Sequence, residues 1–368
     1  MKIDLFSLKD KELAQKIISN IKKEKIKLKF MHVCGTHQDT LVKNGLDSLL
    51  KECGIQIGQG PGCPVCVTTP KEIEEILLLA DQNKIITSFG DMMRVPGEKD
   101  CLNSKKAEGK DIRTVYGIED AVKIAEENPQ EEIVFMAVGF ETTAPTTASI
   151  IINNPPDNFS IICCHRTMPN ALKTILELGE IKINGLIEPG HVSTIIGKKP
   201  YEFISENYKI PQVIAGFEPL DVLMACYFLV KQIKNNEPFV QNEYSRAVNE
   251  EGNIKAQKMI NEVFEPCDVK WRGFSTIEKS GLKLREKYGK YDARTKYKDI
   301  LESLDNKDFK EPKGCRCGEL LRGLINPTEC PLFGKQCTPD MPIGPCMVSA
   351  EGSCNIEYRY GKKRKIQS

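Results

Sequence analysis

The chain has 368 residues, with 52 Lys and Arg set against 51 Asp and Glu. That length supports two or three domains with cores of their own, and the balanced charge removes the electrostatic case for a nucleic-acid binder. No signal-peptide pattern opens the chain, and its longest apolar run, Val222 to Val230, is far too short to cross a membrane. The expected setting is the cytoplasm, where fifteen cysteines point to metal or redox chemistry instead of structural disulfides.

Ser7-Leu8-Lys9-Asp10 opens a helix whose apolar residues, Leu8, Leu13, Ala14, Ile17, Ile18 and Ile21, share one face. Residues 1–25 are expected as an N-terminal helix packing on the body. Lys27 to Val33 reads as a strand that delivers Cys34-Gly35-Thr36-His37 to its C-terminal end. Further strands are expected near 55–58, 84–88, 112–116, 132–139, 159–165, 183–188 and 211–217, most followed by helical patterns. Short β-branched runs alternating with helices predict an α/β fold with parallel sheets. The domain boundaries fall at 26–128 and 129–238 for two α/β domains, with a helical and cysteine-rich domain over 239–368. Past Asn235 strand signals are few, which predicts a mainly helical region to about 310.

Ligands of open α/β sheets bind outside the carboxyl ends of the strands. The Gly/Pro-rich loops Gly90–Gly97, Gly139–Pro145, Glu188–Ser193 and Gly216–Asp221 follow predicted strands, so chemistry is expected there. Gly-Phe-Glu occurs after two of these strands, at 139 and 216, a faint sign of a duplicated unit. No phosphate loop or dinucleotide fingerprint occurs, which excludes a standard nucleotide-binding enzyme.

Gly60-Pro61-Gly62-Cys63-Pro64-Val65-Cys66 holds two thiols in a segment stiffened by proline and freed to turn by glycine. Thr69-Pro70-Lys71-Glu72 reads as a capping box, placing the second thiol just upstream of a helix N-terminus that favours the thiolate. The pair reads as a reactive or metal-binding dithiol; the plainer alternative is a turn that happens to carry two cysteines. Cys34 and His37 stand too close in sequence for a hydrolase nucleophile and base. Cys34, Cys63 and Cys66 suit a soft metal site or a redox relay better. Among the other groups, His32 reads as structural and His165 and His191 as candidates for the cleft wall. Cys163, Cys164 and Cys226 read as small buried hydrophobes.

Cys315, Cys317, Cys330, Cys337, Cys346 and Cys354 crowd the C-terminal region with no histidine near. That pattern signals an iron–sulfur cluster or thiolate zinc, and the irregular spacing favours 4Fe-4S. Cys315 and Cys317 flank Arg316 and would point apart in extended chain, so one of them is expected to ligate. The expected ligands are Cys315, Cys330, Cys337 and Cys354, leaving Cys317 and Cys346 as a redox pair. The basic run Lys362–Lys365 reads as a solvated tail.

Taken in order, Cys34–His37, Gly60–Cys66, Gly139–Pro145, Pro189–Ser193 and the Cys315–Cys354 array resemble the HypD family of nickel–iron hydrogenase maturation factors. The resemblance covers nearly the whole chain and departs at Gln38, where a glutamate is expected. It implies two related α/β domains forming a cleft, with a third region housing the cluster. It implies a scaffold that works with HypC, takes cyanide from HypE, and assembles iron carrying two cyanides and one carbon monoxide for the hydrogenase large subunit. Such a protein is a metallocentre-assembly scaffold with redox activity more than a conventional enzyme. By position, Cys34 would be the iron ligand, shared with a HypC cysteine, and Cys63 and Cys66 a redox-active or further iron-binding pair. His37 would orient or protonate an incoming ligand, or serve the strand–helix turn. The competing reading is a 4Fe-4S thiol–disulfide oxidoreductase resembling ferredoxin–thioredoxin reductase; a zinc-stapled binding protein is a third.

Overall fold

The computed structural model describes residues 10–361. In chain order the strands are β1 (Leu28–His32), β2 (Ile55–Gln59), β3 (Ile85–Phe89), β4 (Ile112–Val115), β5 (Ile133–Gly139) and β6 (Phe159–His165). They continue with β7 (Gly185–Pro189), β8 (Gln212–Ala215), β9 (Val240–Asn242), β10 (Phe264–Lys270) and β11 (Thr276–Leu284). Two parallel sheets result, ordered β2-β1-β7-β8-β9 and β4-β3-β5-β6. The α/β class and its paired parallel sheets are as the sequence predicts. Strands β5 and β6 are buried at every position, as near-continuous apolar runs are when both faces of a parallel sheet are covered.

The sheets do not follow the boundary at 128/129. Strand β3, which holds β4 on its other side, pairs across it with β5, which in turn pairs with β6, and β1 pairs with β7. The chain leaves the first sheet after β2, builds the whole second sheet, and returns at β7. Periodicity locates a parallel strand, but its neighbour is fixed by how the crossover packs.

Residues 264–284 form an antiparallel hairpin inside the region expected to be mainly helical. Its first strand exposes Pro266, Asp268 and Lys270 between half-buried Glu265, Cys267 and Val269. That one-sided, charge-rich pattern hides a strand from a reading tuned to apolar runs. The hairpin covers the open edge of β6, with the Thr167 N–H donating to the Ser280 carbonyl at 2.8 Å.

Helix α1 (Lys11–Lys23) is capped by Asp10, whose carboxylate accepts from the Glu12 and Leu13 N–H groups at 2.9 and 3.1 Å. Its Ile17 and Ile21 are buried, and the helix packs on Pro219–Asn235. Ser7, Leu8 and Lys9, and the basic run Lys362–Lys365, lie outside the described residues. Helices α2 (Gly35–Lys43), α3 (Leu46–Glu52), α4 (Pro64–Val67) and α5 (Pro70–Asp81) follow. The capping box of Thr69 and Glu72 is present on α5. From Cys315 the chain runs in turns and single-turn helices. Among the described residues no helix is long and apolar enough to cross a membrane.

Candidate functional site

A cleft of about 530 Å³ opens between the carboxyl ends of the two sheets. Cys34 lies on its wall between β1 and α2, 8% exposed. Burial pushes this thiol up to about 11, against the pull of the His37 and Thr36 backbone N–H groups and the Thr36 hydroxyl. A thiol so held gives up its proton when a metal takes its place. Two other segments fix it. The Gly35 N–H donates to the Gly62 carbonyl at 3.2 Å, and Gly35 packs directly against Glu351, which also lines the cleft.

Cys63 and Cys66 form a disulfide just behind the cleft lining supplied by Pro64 and Val65, and neither is exposed. It is Cys63, and not the second cysteine, that sits at a helix N-terminus: its sulfur accepts the Cys66 N–H at 3.2 Å as the N-cap of α4. The α4 turn intervenes before α5, so the capping box at Thr69 does not reach Cys66.

The histidines divide. His191 lines the cleft and stacks on Phe217 at 3.8 Å. Phe217 in turn stacks on His37 at 5.0 Å, below the surface. The buried His37 gives its Nε2–H to the Gly216 carbonyl at 2.9 Å, and burial lowers its pKa to about 3. With that nitrogen committed and Nδ1 buried without a partner, His37 braces α2 against the end of β8. His165 is also interior, 2.9 Å from the Thr147 hydroxyl, and does not reach the cleft. The buried His32 pairs with Gln38 at 2.7 Å. Thr142 and Thr143 line the cleft, whereas Glu141 turns inward and accepts the Met168 N–H at 2.8 Å.

Asp91 and Glu351 are cleft residues that sequence reasoning missed. Asp91 accepts from the Ser349 hydroxyl at 3.1 Å, tying the cysteine-rich tail to the end of β3. Burial and the like charge of Asp91 raise the Glu351 pKa. The Gly/Pro loop after β3 was a signal for the first; nothing local marks the second.

Cys315, Cys317, Cys330, Cys337 and Cys354 line one pocket whose other walls include Leu320, Ile325, Leu332, Phe333 and Met347. Cys315 and Cys317 do not point apart. Arg316 is not extended (φ −111°, ψ 26°) and caps the helix Cys317–Leu321, so both sulfurs face Gly344, where a Cβ would lie 2.5 and 2.7 Å from them. A hydrogen bond from Cys317 lowers the Cys315 pKa, and the Cys317 thiol also meets Cys346 and Cys354. Cys346, fully buried, stands behind the pocket in the helix Pro345–Val348, which packs on α4. Among the described residues no three His, Cys, Asp or Glu side chains are grouped to hold a single metal ion. Five sulfurs in an apolar pocket without a carboxylate or imidazole fit a thiolate-bound iron–sulfur cluster by donor chemistry.

Fold and site together define a cysteine-rich α/β protein with one thiol on a cleft at the strand ends, a buried cysteine pair behind it, and a separate pocket of five sulfurs in the C-terminal region. The chain matches the family described as "HypD: Hydrogenase formation hypA family" over residues 10–361, and it belongs to that family. It is 50% identical to a putative hydrogenase expression/formation protein of Methanocaldococcus jannaschii, over 97% of this chain and 99% of that one. It is 42% identical to the hydrogenase maturation factor HypD of Cupriavidus necator, over 97% of each chain. With the Escherichia coli K12 factor of the same name the identity is 41%, over 90% of this chain and 89% of that one. The protein is thus a hydrogenase maturation factor of the HypD family.

Proposed function

We propose that this chain, with a HypC-type chaperone, binds iron at Cys34 and serves as the scaffold on which the Fe(CN)2CO centre is built. HypE would donate the cyanide, and the hydrogenase large subunit would receive the finished centre. The observation that carries the reading is Cys34: a buried thiol on the wall of a large cleft, held between the Cys63–Cys66 loop and Glu351. A soft thiolate suits low-spin iron with strong-field ligands, and the cleft is wide enough to admit a partner's cysteine to the same metal. His191, Thr142 and Thr143 would bound the space in which the ligands are added. The cytoplasm is the setting in which such thiols stay reduced.

Cys315, Cys330, Cys337 and Cys354 would hold a 4Fe-4S cluster, which supplies single electrons when bound. Cys317 and Cys346 would form the dithiol beside it. The Cys66 sulfur lies 3.9 Å from the Pro345 carbonyl, one residue before Cys346, so the two pairs are neighbours in the fold. That neighbourhood also favours the second reading, a thiol–disulfide oxidoreductase, for which Cys34 has no task. Anaerobic copurification with the HypC-type partner, followed by infrared spectroscopy, separates the two. Two cyanide bands and one carbon monoxide band support the scaffold. A brown protein without those bands that reduces a partner's disulfide supports the oxidoreductase.

A further inference from the structure

Strands β1 and β7 pair side by side, with His32 opposite Ile187, so the turns that follow them carry Cys34 and His191 together to the cleft. His191 differs from everything else that lines it. The formal charges of the lining are those of Asp91 and Glu351, and carboxylates accept hydrogen bonds without donating any. The Thr36 hydroxyl is committed to the Cys34 sulfur. His191 is the one lining residue whose side chain carries a nitrogen. Its backbone carbonyl accepts the Thr194 hydroxyl at 2.6 Å, whereas among the described residues neither ring nitrogen has a hydrogen-bond partner. The ring is nonetheless fixed. Its face stacks on Phe217, with 3.8 Å between centroids and 26° between planes. Phe217 is held in turn, because its ring lies 5.0 Å from that of His37 and its carbonyl accepts the Thr40 hydroxyl at 2.6 Å. Stacking uses the face of an imidazole and leaves free its edge, where both nitrogens are. Burial lowers the His191 pKa, so at neutral pH the ring is uncharged and offers one N–H. A donor locked by packing and left without a partner is ready for an acceptor on a ligand.

We propose that His191 recognises cyanide on the iron at Cys34: its N–H donates to the nitrogen of one of the two cyanides and so sets a cyanide position apart from the carbon monoxide position. This rests on the reading of the cleft as the place where the Fe(CN)2CO centre is built. Cyanide binds iron through carbon and turns a lone pair and negative charge outward on nitrogen, a strong acceptor. Carbon monoxide has the same shape and electron count, but it is neutral and its oxygen is a poor acceptor. Size cannot tell the two apart, whereas a hydrogen bond that only one of them completes can. Carbon monoxide is left to the apolar wall of Val65, Val138, Phe140 and Val192, where it strands no polar group.

The test uses the full chain copurified anaerobically with the HypC-type partner and read by infrared spectroscopy in water and in deuterium oxide. His191→Phe keeps a ring to stack on Phe217 and removes the N–H. Its cyanide bands should shift from the parent positions by more than its carbon monoxide band does, and their response to deuterium oxide should shrink. His191→Gln, which restores an N–H donor, should bring the bands part of the way back. Cyanide bands that stay at the parent positions in His191→Phe overturn the proposal, as does a shift that His191→Gln does not reverse. Should an intact complex of His191→Phe lose all three bands, their return in His191→Gln supports the proposal and their continued absence overturns it. If His191→Phe does not copurify with the partner, His191→Ala decides by the same bands. Loss of the complex in both makes His191 a structural residue and overturns the proposal. A parent complex without cyanide bands overturns the reading of the cleft itself, a failure distinct from unmoved bands in a loaded variant.

Discussion

Gly62 lies directly against Cys34: a Cβ on Gly62 would come within 2.2 Å of the Cys34 backbone nitrogen. The dithiol loop and the strand-end thiol are therefore one rigid unit, and the glycine is required by the close approach. Backbone cannot yield as a flexible side chain does. Gly62→Ala should lower stability by ~1–3 kcal/mol, the usual cost of overpacking, and should open the wall around Cys34. The checks are urea unfolding and the rate of Cys34 alkylation. A variant with the parent midpoint and the parent alkylation rate would show that the contact is not a constraint.

Cys34 stands apart from the five sulfurs of the C-terminal pocket, so its loss should be felt in only one place. Cys34→Ala should abolish the cyanide and carbon monoxide infrared bands of the copurified complex. The brown absorption of the cluster should remain. Retained bands in this variant would remove Cys34 as the iron ligand.

Arg166, immediately after β6, pairs with Glu72 of α5 at 2.7 Å, both nearly inaccessible to water. The Glu72 Oε2 also accepts the Thr69 N–H at 2.8 Å, completing the capping box, so this ion pair joins β6 to the helix that follows the dithiol turn. Removing one partner of a buried pair leaves a charge without compensation, at a cost of ~3–5 kcal/mol. Arg294, 3.9 Å from Glu72, should hold Arg166→Met to the lower part of that range. Chemical denaturation measures it. A loss below about 1 kcal/mol, the scale of a surface pair, would contradict the assignment.

Strands β1 to β8 were legible because parallel strands are apolar runs with glycine and proline at their ends, and the loops that carry the cleft could be placed from them. The hairpin was not legible, because half its side chains face water and only packing on β6 explains the rest. Arg272, which that hairpin brings against the carboxyl end of α4, was invisible for the same reason. Cys63 and Cys66 announce themselves by spacing. The meeting of Cys315 with Cys317 depends on the backbone at Arg316, which spacing does not reveal. Asp91 and Glu351 meet at the cleft from opposite ends of the chain, a relationship that no local pattern encodes.

Glu188 lies in β7 just before Pro189, which ends the strand at the cleft wall, yet its own side chain faces the interior, with neither carboxylate oxygen hydrogen-bonded. Burial raises its pKa from 4.5 to about 8. Below pH 4.5 the carboxyl is protonated whether the chain is folded or not, and it costs nothing. Between 4.5 and 8 the unfolded chain loses that proton while the folded chain keeps it. Stability must therefore fall as pH rises, by up to about 1.4 kcal/mol per pH unit for one group, and level off above 8. Glu188→Gln removes this dependence while keeping shape and polarity. The variant should match the parent near pH 4.5 and be more stable at pH 8. Because Glu141, raised to about 7 by burial, titrates in both proteins, the difference between their urea midpoints isolates Glu188. A difference that does not grow between those pH values would mean that Glu188 is ionised in the folded protein and has a partner there.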